Sequence, residues 1–77
     1  MKTMTKEEFL KELAFVLNED ELKEDQNLNT VADFDSMGVM GIVAMIDRTL
    51  KFRASVDVIR DARTVGDLVK LVAEKLT

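Results

Sequence analysis

The stretch DSMGVMGIVAMIDRTLKF, residues 35–52, decides the fold. Asp35 and Ser36 are both favourable residues for the N-terminal cap of a helix. Five of the apolar residues that follow fall within one arc of roughly 100° on a helical wheel, the pattern of a helix with one buried face: Val39, Ile42, Val43, Ile46 and Leu50. We therefore predict a central helix from Asp35 or Ser36 to about Phe52.

The other side of this helix is unusually rich in methionine and glycine for a surface in contact with water. It carries Met37, Met40, Gly41, Ala44, Met45, Arg48 and Lys51. Flexible thioethers adapt to partners of different shape, so this side is a candidate contact surface. We expect Met37 to be exposed, whereas Met40 either belongs to the contact surface or widens the core. Gly38 and Gly41 each weaken the helix by about 1 kcal/mol relative to Ala. That cost indicates a constraint such as the close approach of a partner.

The region before this helix begins with an amphipathic segment. Thr5 and Glu8 have the spacing of a capping box, and apolar residues then recur at helical intervals, which predicts a helix over about 6–18. The periodicity fails from 18 to 34, where four apolar residues are spaced like anchors that hold a loop over a core: Leu22, Leu28, Val31 and Phe34. A loop of that length is uncommon in a small domain and indicates a functional placement or an additional short turn.

Two further helices are predicted after Phe52. Ser55 caps a short one in which Val56, Val58 and Ile59 are expected to point inward. Thr64 and the carboxylate of Asp67 mark the start of the last helix, over about 65–76. No segment alternates at period two for long enough to form a strand. The expected fold is therefore an all-α four-helix bundle with three longer helices, one short helix and a long first loop, forming a single domain over 1–77.

The composition excludes several classes of function. The chain has 77 residues, a net charge of −4 and neither Cys nor His. The negative charge disfavours nucleic acid as a partner, and no apolar run is long enough to span a membrane or form a signal peptide. We therefore expect a cytoplasmic protein, and a monomer. Asp25, Asn27, Asn29 and Asp33 match alternate positions of a calcium loop, but Thr30 and Ser36 replace the required Gly and Glu, so we predict no metal site.

Ser36 is the best candidate for a residue with a chemical role, although a serine at a helix start is usually a cap. A nucleophilic serine needs a base, and the chain has no His and no Gly-x-Ser-x-Gly turn; Lys23 and Lys51 have no evident position beside it. Hydrolysis is therefore not expected. The hydroxyl is better suited to modification by another enzyme, since a helix N-terminus favours an attached phosphate.

Asp35-Ser36-Met37, placed after a long first loop and at the start of an apolar helix, resembles the Asp-Ser-Leu/Met motif of acyl carrier proteins. Phe52 at the end of the second helix and residues 64–68 at the start of the last helix fit the same pattern. The resemblance implies that Ser36, with Asp35 as its motif neighbour, receives 4′-phosphopantetheine from coenzyme A. It implies a carrier of thioester-bound acyl groups and not an enzyme. The implied partners are a phosphopantetheinyl transferase and an acyl-loading ligase, synthase or transferase in fatty-acid, polyketide or related lipid metabolism.

The chain departs from that family at informative positions. Asp33 stands where the family usually has Gly, and Asp47 is the single acid between Ser36 and Phe52, where fatty-acid carriers have several. These departures predict a specialised carrier whose partners contact Met37, Met40, Gly41 and Ala44, with Arg48 setting the charge preference. Val43, Ile46 and Leu68 are expected to line a pocket for the bound chain. Two alternatives remain, a D-alanyl or other aminoacyl carrier and an unmodified helical interaction module.

Overall fold

A computed structural model describes residues 4–77. The first helix, α1, spans Lys6–Val16 and begins with the predicted capping box: Glu8 N–H donates to Thr5 Oγ1 at 3.1 Å, and Thr5 N–H donates to Glu8 Oε1 at 2.9 Å. The helix ends two residues before the predicted limit. Asn18 has a left-handed backbone with φ of 57°, a conformation that ends a helix and that Asn tolerates better than most residues.

The long connection between α1 and the second helix contains a one-turn 3₁₀ helix, Leu28–Thr30. Three of the four expected anchors are buried (Leu22, Leu28 and Val31), and Phe34 is half-buried. The connection is also hydrogen-bonded to the segment before the last helix and to the first turn of that helix: Leu28 N–H donates to the Arg63 carbonyl at 2.8 Å, and Gly66 N–H donates to the Glu24 carbonyl at 2.8 Å. The connection is therefore an ordered part of the bundle, and the expected short turn is present.

The central helix, α2, spans Ser36–Leu50. Its buried residues are Gly38, Val39, Ile42, Met45 and Ile46. The interpretation of Met45 as an outward-facing residue was therefore wrong, because it is 1% exposed. Val43 and Leu50, expected in the core, are only half-buried. The buried arc is rotated by roughly 60° from the one predicted, because α2 packs against α1 on one flank and the third helix on the other.

The third helix, α3, spans Val56–Arg60, with Ser55 as its cap. Ile59 is fully buried, but Val56 and Val58 are 37% and 51% exposed. The expectation that all three point inward was wrong for the two valines. A helix of this length has room for one inward position, and Val58 is rotated from Ile59 by roughly 100°.

The last helix, α4, spans Val65–Val72 and continues as a 3₁₀ turn over Ala73–Lys75. Its capping box pairs Thr64 with Asp67, whose carboxylate accepts hydrogen bonds from Arg63 N–H at 2.9 Å and Thr64 N–H at 3.1 Å. These two bonds, that from Arg63 first, hold the pKa of the Asp67 carboxyl below its usual value. The sequence predicted a single helix to about residue 76. The prediction was wrong for the last turn, which is a 3₁₀ helix and not an α-helix.

The predicted all-α bundle is confirmed. Within residues 4–77 extended pairing is limited to isolated bridges, Met4 with Leu76 and Asn27 with Thr64. One apolar core joins the four helices and the loop anchors, and its fully enclosed side chains share near-zero exposure: Phe9, Leu13, Leu17, Leu28, Ile42, Met45, Ile46, Ile59, Val65, Leu68 and Val72.

Candidate functional site

Ser36 is the first residue of α2, and its side chain is exposed. Asp35 is the N-cap, and its Oδ1 accepts a hydrogen bond from Gly38 N–H at 3.0 Å. Because the Asp35 side chain caps the N-terminus of α2, the Ser36 hydroxyl is not needed as a cap. The Ser36 hydroxyl therefore lies at the N-terminus of α2 without taking part in the cap.

The turn that leads into α2 is held against the end of α1. A Cβ added to Gly38 would overlap the Asp33 carbonyl oxygen and lie 3.1 Å from Leu17 Cδ2. Asp33, the residue that departs from the family pattern, accepts a hydrogen bond from Asn18 Nδ2 at 2.7 Å. Gly38 is therefore required by an approach inside the molecule, which accounts for the predicted constraint without a partner.

Gly41 is subject to a milder constraint of the same kind. A Cβ added there would lie 3.0 Å from Val16 Cγ1 of α1. Gly41 is half-buried and borders a cleft beside Met37, so its proposed contact with a partner stays a prediction.

A second cleft, of about 490 Å³, lies on the α3 side of the α2 N-terminus and includes Ser36 in its wall. The other lining residues come from the loop, α2 and α3: Asn29, Phe34, Asp35, Val39, Met40, Val56 and Arg60. Arg60 pairs with Asp57 at 2.7 Å and remains exposed. Asn29, Val56 and Arg60 were not expected near Ser36, since no short-range sequence pattern connects these positions.

The outer side of α2 is exposed along its length. Met37 is 84% exposed, as expected, and Met40, for which two alternatives were open, is 55% exposed. Ala44 is exposed as well. Arg48 is exposed but lies 3.5 Å from Glu12 Oε1 of α1, so its charge is partly compensated within the molecule.

Residues 7–72 match the family model described as a phosphopantetheine attachment site. The match covers most of the chain and includes both helices that flank the Ser36 cleft. The chain belongs to this family. Comparison with curated proteins and with solved structures found no match. The resemblance to acyl carrier proteins is thereby confirmed at the level of the family.

As a member of the phosphopantetheine-attachment family, the protein is a non-catalytic carrier of covalently attached 4′-phosphopantetheine, which supplies a thiol to a chain without Cys. Such carriers work with enzymes such as transferases and synthases. Ser36 and Lys51 lie at opposite ends of α2, roughly 22 Å apart along its axis, so Lys51 is not placed to act as a base for Ser36. Among residues 4–77, none of the helices combines the length and apolar character needed to cross a bilayer.

The surroundings of Ser36 fit the prosthetic group. The hydroxyl is open to solvent, so a transferase can reach it, and the adjoining cleft offers both an apolar wall and the cationic Arg60. The 4′-phosphopantetheine group has a phosphodiester at its point of attachment and is otherwise mostly uncharged, so it suits a cleft with both a cationic and an apolar surface.

Proposed function

We propose that Ser36 is the residue to which 4′-phosphopantetheine is attached, and that the protein presents a thioester-bound acyl or aminoacyl group to partner enzymes. The observation that carries the proposal is the exposed Ser36 hydroxyl at the first position of α2, within the segment that matches the family. Asp35 supports it by capping the helix and leaving the hydroxyl free for modification.

In the attachment step the Ser36 Oγ–phosphorus bond forms, the pyrophosphate bond of coenzyme A breaks, and the adenosine bisphosphate portion leaves. The hydroxyl proton passes to a base on the transferase, since this chain has no His. Arg60 lines the cleft that includes Ser36 and would face the negative charge of the phosphodiester. Asp35 would repel that charge, but its Oδ1 is engaged with Gly38 N–H.

The test is coexpression with a phosphopantetheinyl transferase, followed by intact-mass measurement. The wild-type mass is expected to rise by that of one arm, and Ser36→Ala is expected to abolish the rise. Ser55→Ala is the matched control, because Ser55 is also an exposed serine at a helix start. Retention of the added mass in Ser36→Ala, or its loss in Ser55→Ala with the fold intact, would refute the assignment.

The outer side of α2 is proposed as the surface that meets partner enzymes, through Met37, Met40, Gly41 and Ala44, with Arg48 influencing the charge preference. The large exposed fractions of the two methionines support this role. Because Asp47 is the one acid between Ser36 and Phe52, the surface suits partners that lack a strongly basic patch. We therefore propose a specialised carrier, distinct from the general fatty-acid carrier.

The proposed cargo is an acyl chain of fatty-acid, polyketide or related lipid metabolism, and the alternative is D-alanine or another amino acid. Asp-Ser-Met-Gly at 35–38 is the feature that favours the amino acid. Loading of the modified protein by an acyl ligase and by an aminoacyl ligase, compared side by side by mass, separates the two. The further proposals are a cytoplasmic location, a monomer and a single domain over 1–77, with Val43, Ile46 and Leu68 lining a chain pocket when the core opens.

A further inference from the structure

An apolar groove lies along α1, on a part of the molecule that the carrier site does not use. It encloses about 560 Å³. Leu10, Ala14 and Leu22 form its apolar lining, and Phe15 forms a wall with 82% of its surface exposed. We call these four residues, with the charged residues around them, the α1 groove. Phe15 is not among the residues packed on the core, and beside the apolar lining of the groove it extends an exposed apolar patch of the kind enriched in aromatic side chains at protein interfaces.

The rim of the α1 groove is strongly acidic. Glu7, Glu19, Asp20 and Glu21 border it, against the single base Lys11. Within residues 4–77 none of these four acids takes part in an ion pair; the ion pairs found there involve Glu12, Glu24 and Asp57. With Lys11 as its one cation, the rim therefore carries a net negative charge around an apolar floor.

The α1 groove and the outer side of α2 are on different flanks of α1. Glu12 and Val16 face α2, through the pair with Arg48 and the close approach to Gly41. Around the helix axis, Leu10 and Ala14 are rotated from Glu12 and Val16 by roughly 120–160°, and Phe15 lies between the two pairs, roughly 60° from Glu12. The α1 groove also shares no lining residue with the cleft at Ser36 and Met40, so a protein bound in the groove would leave those two residues uncovered.

We propose that the α1 groove binds a cationic amphipathic helix of a partner protein. The apolar face of that helix packs on Phe15, Leu10 and Leu22, while Lys or Arg residues at its edges pair with the acidic rim. A helix is the fitting occupant because residues 4–77 offer no sheet edge to which a strand could add. The charge disfavours other occupants: an anionic lipid surface or a second copy of this chain, with net charge −4, would be repelled by the rim.

This surface adds a function to the carrier, namely retention by one partner through α1 while the end of α2 remains free to meet others. The proposal does not depend on Ser36 being the modified residue. Binding is measured on the unmodified protein, so failure of one proposal leaves the other unaffected.

The probe is a synthetic helical peptide of leucine and lysine, titrated into isotope-labelled protein and followed by amide chemical-shift changes. A leucine–glutamate peptide of the same pattern is the control. We expect shifts concentrated at Phe15, Leu10 and Leu22, absent with the glutamate peptide. Phe15→Ala should weaken binding at least roughly tenfold, the effect of removing an interface anchor. Val58→Ala removes another exposed apolar side chain, outside the groove, and should leave the affinity unchanged.

Charge reversal gives a second, independent test. The double variant Asp20→Lys/Glu21→Lys should weaken peptide binding, whereas Asp25→Lys/Glu74→Lys, with the same net charge but outside the groove, should not. The proposal is overturned by any of four results: no binding, shifts spread evenly over the surface, shifts centred on Met37 and Met40, or equal weakening by both double variants. Sedimentation of the free protein as a dimer that Phe15→Ala dissociates would assign the groove to a second copy and overturn it too.

Discussion

Replacing Gly38 with Ala tests whether the entry to α2 is built as described. In an exposed helix the change would stabilise the protein by about 1 kcal/mol, because Ala is the better helix former. Here the new Cβ would overlap the Asp33 carbonyl oxygen, a backbone atom that cannot rotate away, and would lie 3.1 Å from Leu17 Cδ2. Overpacking of this kind costs about 1–3 kcal/mol, and a backbone collision belongs at the upper end. The net expectation is a loss of about 2 kcal/mol.

The matched control is Gly41→Ala, whose Cβ would meet a side-chain methyl group, Val16 Cγ1, at 3.0 Å. A methyl group yields more easily than a backbone carbonyl, so the gain in helix propensity should nearly cancel the contact and leave stability within about 1 kcal/mol of wild type. Unfolding is followed by circular dichroism, because the chain has no Trp or Tyr. A loss of about 2 kcal/mol corresponds to a fall in Tm of roughly 8–16 °C in a domain of this size. A Gly38→Ala variant as stable as wild type would refute the packing of the turn against α2.

Three further predictions concern the caps and one strained residue. Asp35→Ala removes the acceptor for Gly38 N–H and should cost about 1 kcal/mol in urea unfolding, whereas Asp35→Asn should keep most of the cap; equal losses would contradict the capping role. Lys51→Gly should raise Tm, because Lys51 holds a left-handed φ of 54° that glycine adopts without strain, and a fall in Tm would count against that strain. Asp67→Asn should be less stable than wild type at pH 7. Because folding lowers the pKa of Asp67, its carboxylate stabilises the protein fully above the pKa of the unfolded chain, near 3.8, and this stabilisation is lost as the pH falls through the lower pKa of the folded protein. A stability difference between wild type and variant that does not shrink at low pH would disprove this role.

Features that depend on residues three or four apart could be read from the sequence. The capping box of Thr5 and Glu8 is present as predicted, and so is the helix start at Thr64, where Asp67 completes a second capping box. The start of α2 at Ser36 and its outward Met37 were also predicted correctly. A cap is decided by local backbone hydrogen bonds, so its chemistry is written in adjacent positions. The carrier family followed from the same kind of local motif together with the order of the helices.

Which side chains of a helix are buried was decided by how the helices pack against one another. Met45 is buried and Val43 half-buried because α2 meets α1 as well as α3, and a helical wheel cannot show from how many sides a helix is covered. In the same way Val58 remained outside, because α3 is too short to bury more than Ile59.

By itself the sequence determined the number of helices, their starts and the serine at the mouth of α2, since these follow from hydrogen bonds and periodicity within one segment. Tertiary structure alone decided why Gly38 must be glycine, which residues surround Ser36, and that Phe15 stands beside a groove with acidic edges. The physical reason is that each of these features depends on atoms from distant parts of the chain, which burial of the shared core brings together. Local sequence patterns do not show which distant residues will meet.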